Sequence, residues 1–268
     1  MGKKTLPLLA GGAAAILAVK ALDNRINTVH YKVCTDKLSS NIRIALITDL
    51  HCKKRENPHT ALMELTEKNS PDLVLLGGDI IEGEVNFGTE ITFLKNLADK
   101  FPCFYVSGNH EYYKSCLSRT KKVVSHHGIT VLDGKCETIA VKDDKINIGG
   151  VDDADTGHFK AQLESVNPID TSLFSVLLSH KPHFPELFAK LDFDLVLSGH
   201  THGGQWRLPH VIDGVYASGQ GIFPKYTGGE YKNGRQTIII GRGVSSSSSI
   251  IPRIFNPPEL VIIDVSPL

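Results

Sequence analysis

The stretch Gly199-His200-Thr201-His202-Gly203-Gly204-Gln205 sets two imidazoles one residue apart in a glycine-rich turn, directly after the apolar run Leu195-Val196-Leu197. A strand that ends in such a turn can aim two ring nitrogens at neighbouring cations. Four further groups of ligand-type residues lie upstream, each behind an apolar run. They are Asp49-Leu50-His51, Gly77-Gly78-Asp79, Gly108-Asn109-His110-Glu111 and Ser179-His180. Carboxylate, imidazole and amide oxygen suit divalent manganese, iron or zinc better than a thiolate-preferring site. A closed structural zinc site would take four ligands, typically rich in cysteine, and would need no shared carboxylate. The five cysteines are odd in number and show no Cys-x-x-Cys spacing, so they read as free thiols. The chemistry on offer is hydrolysis assisted by two metal ions.

Elements must bring these groups together. Strand candidates are Ile42–Ile47, Leu73–Leu76, Cys103–Val106, Ile129–Leu132, Ile146–Ile148, Phe174–Leu178, Leu195–Leu197, Thr237–Ile240 and Leu260–Val265. They are apolar, rich in β-branched residues and bounded by Gly, Pro, Asp or Asn. Helical patterns lie between them: one starting at Asn57-Pro58, one over 89–100, one over 114–127 that stops at Gly128, and one near Pro185–Leu191. Strands alternating with helices predict an α/β layered fold with sheets buried between helices. In such folds the loops at the carboxyl ends of strands build the site, so five strand ends can converge on one place.

The ordered set Asp-x-His, Gly-Asp, Gly-Asn-His-Glu, His and Gly-His-x-His spans residues 44–205 and resembles the calcineurin-like metallophosphoesterase superfamily. His202-Gly203-Gly204-Gln205, Arg207-Leu208-Pro209, Gly241-Arg242-Gly243 and Asn256-Pro257-Pro258-Glu259 look like a bacterial branch of it that commonly carries an N-terminal membrane or export segment. The resemblance implies a four-layer α-β-β-α sandwich with two mixed central sheets and the metal site at strand carboxyl ends. It implies that Asp49, His51 and His202 bind a first metal and that Asn109, His180 and His200 bind a second. Asp79 would bridge the two, and His110 would donate a proton to the leaving oxygen. Two divalent ions are expected, with manganese favoured over iron or zinc. Where the phosphoprotein phosphatase branch has an aspartate that orients the catalytic histidine, this chain has Glu82; Glu82, Glu111 or neither serves that end. Cys52-Lys53-Lys54 would shape the substrate entrance.

The resemblance establishes a reaction class and leaves the ester open. Phosphodiester or pyrophosphate bonds are the expected substrates, with a lipid-linked or envelope compound such as UDP-2,3-diacylglucosamine as one candidate. The alternatives are a phosphomonoesterase and a non-catalytic, metal-stabilised membrane scaffold. Arg207 and Arg242 are the candidate substrate-binding residues, with Lys225 and Tyr226 beside them. The formal charge is zero and its signs are interspersed, so no nucleic-acid footprint is expected.

Thr5–Val19 is a run of 15 uncharged residues flanked by Lys3, Lys4, Lys20 and Arg25. It is short beside the roughly 17–25 residues of a spanning helix and at the upper end of an export signal's core. The expected organisation is a membrane anchor or signal-like segment over 1–22, a linker over 23–41 and the metallophosphoesterase domain over 42–268. The chain is therefore expected to be membrane-associated through its N-terminal segment, on a side the flanking charges leave open.

Overall fold

The computed structural model describes residues 17–51, 58–81, 88–113, 116–246 and 252–268. Two six-stranded sheets and one short hairpin, β10 (Tyr216–Ala217) with β11 (Gly221–Ile222), hold its strands. The first sheet runs β1 (Asn27–Thr35), β14 (Glu259–Pro267), β2 (Ile42–Ile47), β3 (Leu73–Gly77), β4 (Cys103–Val106) and β5 (Thr130–Val131). Within it, β2 to β5 are parallel, and β14 is antiparallel to β2. The second sheet runs β12 (Gly229–Asn233), β13 (Gln236–Ile240), β9 (Leu195–Ser198), β8 (Phe174–Ser179), β7 (Asp144–Val151) and β6 (Lys135–Val141). Its four middle strands are parallel and both edges antiparallel, so each sheet is mixed.

Alternation along each strand sorts side chains into three cores. Ile44, Leu46, Leu73 and Leu75 of the first sheet meet Ile148, Val176, Leu178 and Leu197 of the second, forming the dry interior between the sheets. On the far face of the first sheet, Ile47, Val74, Leu76 and Tyr105 pack on α1 (His59–Asn69), α2 (Gly88–Ala98) and α4 (Leu117–His126). On the far face of the second, Leu177, Val196 and Ile238 pack on α5 (Phe159–Ser165) and α6 (Pro185–Phe188). The five-residue α3 (Asn109–Tyr113) carries part of the site instead. The result is the four-layer α-β-β-α sandwich with two mixed sheets. Each fully buried Leu or Ile in these layers stabilises the chain by about 1.5–3 kcal/mol.

Two observations at the N-terminal end differ from expectation. Within the expected linker, Asn27–Thr35 forms β1 and pairs in parallel with β14, from Asn27 opposite Glu259 to Thr35 opposite Pro267. Its pattern is half-buried and polar on alternate residues, because an edge strand is covered on one face only. Membrane association through an N-terminal span is corrected. No helix among the described residues is long and apolar enough to cross a membrane. The helical run over 17–21 is a fraction of the roughly 20 residues a span requires. The rest of the expected anchor, residues 1–16, lies outside the described residues, as do Cys52, Lys53, Lys54 and Glu82.

Candidate metal centre

Loops leaving the carboxyl ends of β2, β3, β4, β8 and β9 converge, as parallel strands require. Three groups of donor atoms form there: Asp49 with His51 and His202, His51 with Asp79 and His110, and Asp79 with His180 and His200. Within each group the donor atoms lie within 4.8 Å of one another. Asp79 Oδ2 stands 3.6 Å from His51 Nε2 and 3.2 Å from His180 Nε2. Asp49 Oδ1 stands 3.9 Å from His51 Nε2 and 3.6 Å from His202 Nε2. Asn109 is buried at the start of α3, and its Oδ1 has no hydrogen-bond partner among the described residues. A buried amide oxygen without a donor, among converging carboxylates and imidazoles, fits a divalent cation by donor type.

The backbone achieves this convergence at a cost. Asp49, His51, Asp79, His200 and His202 all have positive φ, between 41° and 71°. Left-handed backbone is uncommon outside glycine and costs of order 1–3 kcal/mol per residue unless its surroundings impose it. Here hydrogen bonds impose it. Asp49 N–H donates to the Gly78 carbonyl at 3.0 Å and His51 N–H to the Asp79 carbonyl at 3.1 Å. His200 N–H donates to both Asp49 carboxylate oxygens, at 3.1 and 3.0 Å. The Asn256 side chain donates to the His202 carbonyl at 2.7 Å. Gly78 (φ 88°) and Gly108 let these turns touch. A Cβ at Gly78 would lie 2.6 Å from His180 Nδ1, and one at Gly108 only 2.2 Å from Asp79 Oδ1.

Electrostatics sort the proton states. Burial would raise the Asp79 carboxyl, but His180, His51 and His110 outweigh it and hold Asp79 well below the carboxylate range. Burial would lower His180, and the Asp79 carboxylate instead lifts it to about 10. The His180 Nδ1–H donates to the Gly77 carbonyl at 2.8 Å, which turns Nε2 toward Asp79. His200 and His202 are pushed well below the usual imidazole range, chiefly by burial. Neutral rings keep the lone pair that a cation needs, and a cation held by His180 would have to displace its proton. His110 differs in access: its side chain is 28% exposed, where those of His51, Asp79 and His180 are at most 2%. Its ring packs edge-on against His51 at 4.5 Å, and its backbone N–H donates to Asp79 Oδ1 at 2.8 Å.

Glu111, one of the candidates to orient His110, faces backbone amides. Its carboxylate accepts the backbone N–H groups of Asp79, Ile80, Ile81 and Gly108, at 2.8–3.1 Å. It thereby ties the β3 loop to the β4 loop. Burial and the Asp79 charge nevertheless raise its carboxyl to about 7. Arg207 and Arg242 lie on the loops around the centre with carboxylate partners of their own. Arg207 Nη2 is 3.0 Å from Asp213, and Arg242 Nε is 2.7 Å from the buried Glu259. Lys225 Nζ lies 5.2 Å from the centre of the Tyr226 ring.

Several contributors escaped sequence reasoning. Arg253 is 1% exposed and places Nη2 3.3 Å from His202 Nδ1, while its Nε and Nη1 have no hydrogen-bond partner among the described residues. Burial lowers its guanidinium to about 10. Asn256 holds the His202 turn, though the Asn256-Pro257-Pro258-Glu259 tail pointed only to kinship. Lys181, directly after His180, is buried and bonded to Asp153 and Asp155. The acidic run after β7 was its only signal in the sequence.

With the geometry in place, the profile of the family described as "Calcineurin-like phosphoesterase" matches residues 42–204, more than half of the chain. The chain belongs to this family. As a calcineurin-like phosphoesterase it is a metal-dependent hydrolase of phosphoesters, and the clustered donors are where the family's divalent ions fit. An uncharacterised metallophosphoesterase of Aquifex aeolicus is 30% identical over 247 residues, covering 88% of this chain and 90% of that protein. Phosphodiesterase YaeI of Escherichia coli is 30% identical over 237 residues, covering 83% and 82%. Among solved structures, TT1561 of Thermus thermophilus shares the fold at a TM-score of 0.50 and 14% identity, covering 77% of this chain and 92% of that one. Two larger structural neighbours are matched over only 54% and 51% of their length.

Proposed function

We propose that this calcineurin-like phosphoesterase hydrolyses phosphodiester or pyrophosphate bonds with two divalent cations, manganese favoured. The observation that carries the reading is Asp79 Oδ2, which stands within 3.6 Å of ring nitrogens on both sides of it, His51 and His180. One carboxylate shared between two imidazole groups is the arrangement a dinuclear centre needs. Asp49, His51 and His202 would hold the first ion, Asn109, His180 and His200 the second, and Asp79 both. When bound, such a pair supplies Lewis-acid charge for the phosphoryl oxygens and makes water acidic enough to attack at neutral pH.

The chain's own residues do the rest. Asp49 and Asp79 carry the negative charge that the cations balance, and neutral His200 and His202 offer lone pairs. His110 would give its proton to the departing oxygen, since it alone in its donor group combines solvent access with a place beside Asp79. Its backbone N–H is held by the Asp79 carboxylate, so the donor moves with the bridging residue. Arg207 and Arg242 would face the phosphate-bearing side of the substrate, steered rather than free because each is already paired.

Similarity to YaeI, named a phosphodiesterase, supports a diester. Trp206, Leu208, Ile222 and Phe223, on the segment that follows His202, are 42–72% exposed and support a substrate with an apolar alcohol, such as a lipid-linked one.

The test is turnover of bis-p-nitrophenyl phosphate and p-nitrophenyl phosphate by the manganese-loaded chain, with Asp79→Asn as control. Diester turnover should exceed monoester turnover. Asp79→Asn should bind fewer than two ions and lose more than about 100-fold, beyond the loss typical of an outer-shell partner. Two bound ions per chain with no turnover of either ester would leave a scaffold instead of an enzyme.

A further inference from the structure

The helix that carries Asn109 and His110 is five residues long. A single helical turn is not stable by itself, because nucleation orders several residues for one hydrogen bond. Its placement must come from tertiary contacts at both ends. At the N-terminal end the contacts are those of Glu111 and Asp79 described above. At the other end stands Tyr113, whose hydroxyl donates to Asp155 Oδ2. The same Asp155 oxygen accepts Lys181 Nζ at 2.6 Å. Lys181 Nζ also reaches Asp153 Oδ1 at 3.0 Å, and Asp155 N–H donates to that Asp153 oxygen at 2.9 Å.

These residues come from opposite halves of the sandwich. Tyr113 ends the helix that follows β4 of the first sheet, while Asp153 and Asp155 follow β7 and Lys181 follows β8 of the second. Lys181 is the residue next to His180. α3 accordingly packs against the short turn Ala154–Thr156. Burying the Lys181 ammonium and the Asp153 carboxylate carries a desolvation cost that their attraction must offset. Side chains 8% and 0% exposed therefore mark a place where geometry is held at some expense. The phenol stays a donor: its bond to the Asp155 carboxylate raises Tyr113 to about 12.

We propose that Tyr113, Asp155 and Lys181 form a strap between the two sheets that positions the His110 helix against the strand end bearing His180. The inference rests on His110 being the proton donor. None of the three need touch the substrate; they act through His110 as positioning residues. Loosening the strap lets α3 tilt, and the His110 ring then meets the leaving oxygen less often. The loss is greatest where the leaving oxygen most needs a proton.

The test is the dependence of rate on leaving group, measured with the manganese-loaded full chain on a series of aryl and alkyl phosphodiesters. His110→Ala should lose about 100-fold or more on alkyl leaving groups, within the range of general acid catalysis, and little on p-nitrophenyl. Tyr113→Phe should follow the same slope at about 3–10-fold in kcat, a fraction of that range because the donor is misplaced and not removed, with KM unchanged. Asp155→Asn should lose more, and Asp155→Glu should recover part of that loss. Tyr113→Phe should add nothing in the His110→Ala background, since the two act through one proton. Amide exchange at His110 and Glu111 should speed up in Tyr113→Phe while metal content and melting temperature hold. An equal loss on every leaving group, or none, in Tyr113→Phe overturns the strap while leaving His110 its role. A flat leaving-group profile in His110→Ala overturns the proton donor and the strap together.

Discussion

The Nε2 atoms of His51 and His202 stand 3.2 Å apart, although 151 residues separate them in the chain. Two imidazole lone pairs do not face each other at that distance without a proton or a cation between them. Both rings are buried, so the contact is held by a proton on one of them or by a cation between them. A divalent ion there would add binding free energy to folding, by about 2.7 kcal/mol at a hundredfold excess over Kd. Stripping the protein with a chelator should lower its melting temperature, and manganese should restore it. His51→Ala and His202→Ala should each blunt that response. A melting temperature indifferent to chelation would mean that no ion occupies the cluster.

Glu111 gathers four backbone amides from two loops, and its replacement should be costly. Hydrogen bonds to a charged group are worth about 1.5–3 kcal/mol each, and buried donors left without an acceptor add a penalty. Glu111→Ala should cost about 3–5 kcal/mol, in the range reserved for broken buried networks. Glu111→Gln keeps the volume but turns an NH2 group toward amide donors, so it should fall between. Urea unfolding measures both. A Glu111→Gln protein as stable as the wild type would show that the four bonds do not stabilise the fold.

Gly108 is a spatial requirement. A methyl group there would sit 2.2 Å from Asp79 Oδ1, nearer than any real contact, so either Asp79 or the β4 loop must shift. Gly108→Ala should reduce turnover at least about tenfold, the low end of the effect of disturbing an outer-shell partner. The melting temperature should change far less than in Glu111→Ala. Retention of full activity would mean that the loop relaxes without moving Asp79.

Away from the centre, Asp144 receives the N–H and hydroxyl of both Ser39 and Ser40 at 2.6–2.9 Å. These bonds, the Ser40 hydroxyl first, lower its carboxyl from 3.8 to about 2. A depressed folded-state value means that the stabilisation is present above the unfolded value of 3.8 and is lost as pH falls toward about 2. Wild type and Asp144→Asn should therefore differ in stability at neutral pH and converge across that acidic window. A constant difference from neutral pH down to about 2 would assign the effect to shape instead of charge.

Much of this architecture was legible from pattern. Ile42–Ile47, Cys103–Val106 and Leu195–Leu197 are buried on both faces, and continuous β-branched or apolar runs follow from that. Gly128 does take left-handed φ at the end of α4. β1 and β12 were not legible, because edge strands carry alternate polar residues and borrow stability from a neighbour far away in sequence. β1 is held by β14, more than 220 residues on. Arg207 and Arg242 were legible as candidate substrate-binding residues, but their carboxylate partners Asp213 and the buried Glu259 were not.

The sequence by itself determined the inventory of the centre: which residue types end five strands, and the kinship those motifs carry. Side-chain chemistry and local periodicity are properties of short segments, so a linear reading reaches them. Only the tertiary structure decided that Asp79 stands between His51 and His180, and that Glu111 clamps backbone amides of two loops. It also decided that Arg253 lies buried behind His202. Those relations depend on how two sheets stack and which strand ends meet. Distances across a packed interior are set by contacts between segments that no spacing along the chain records.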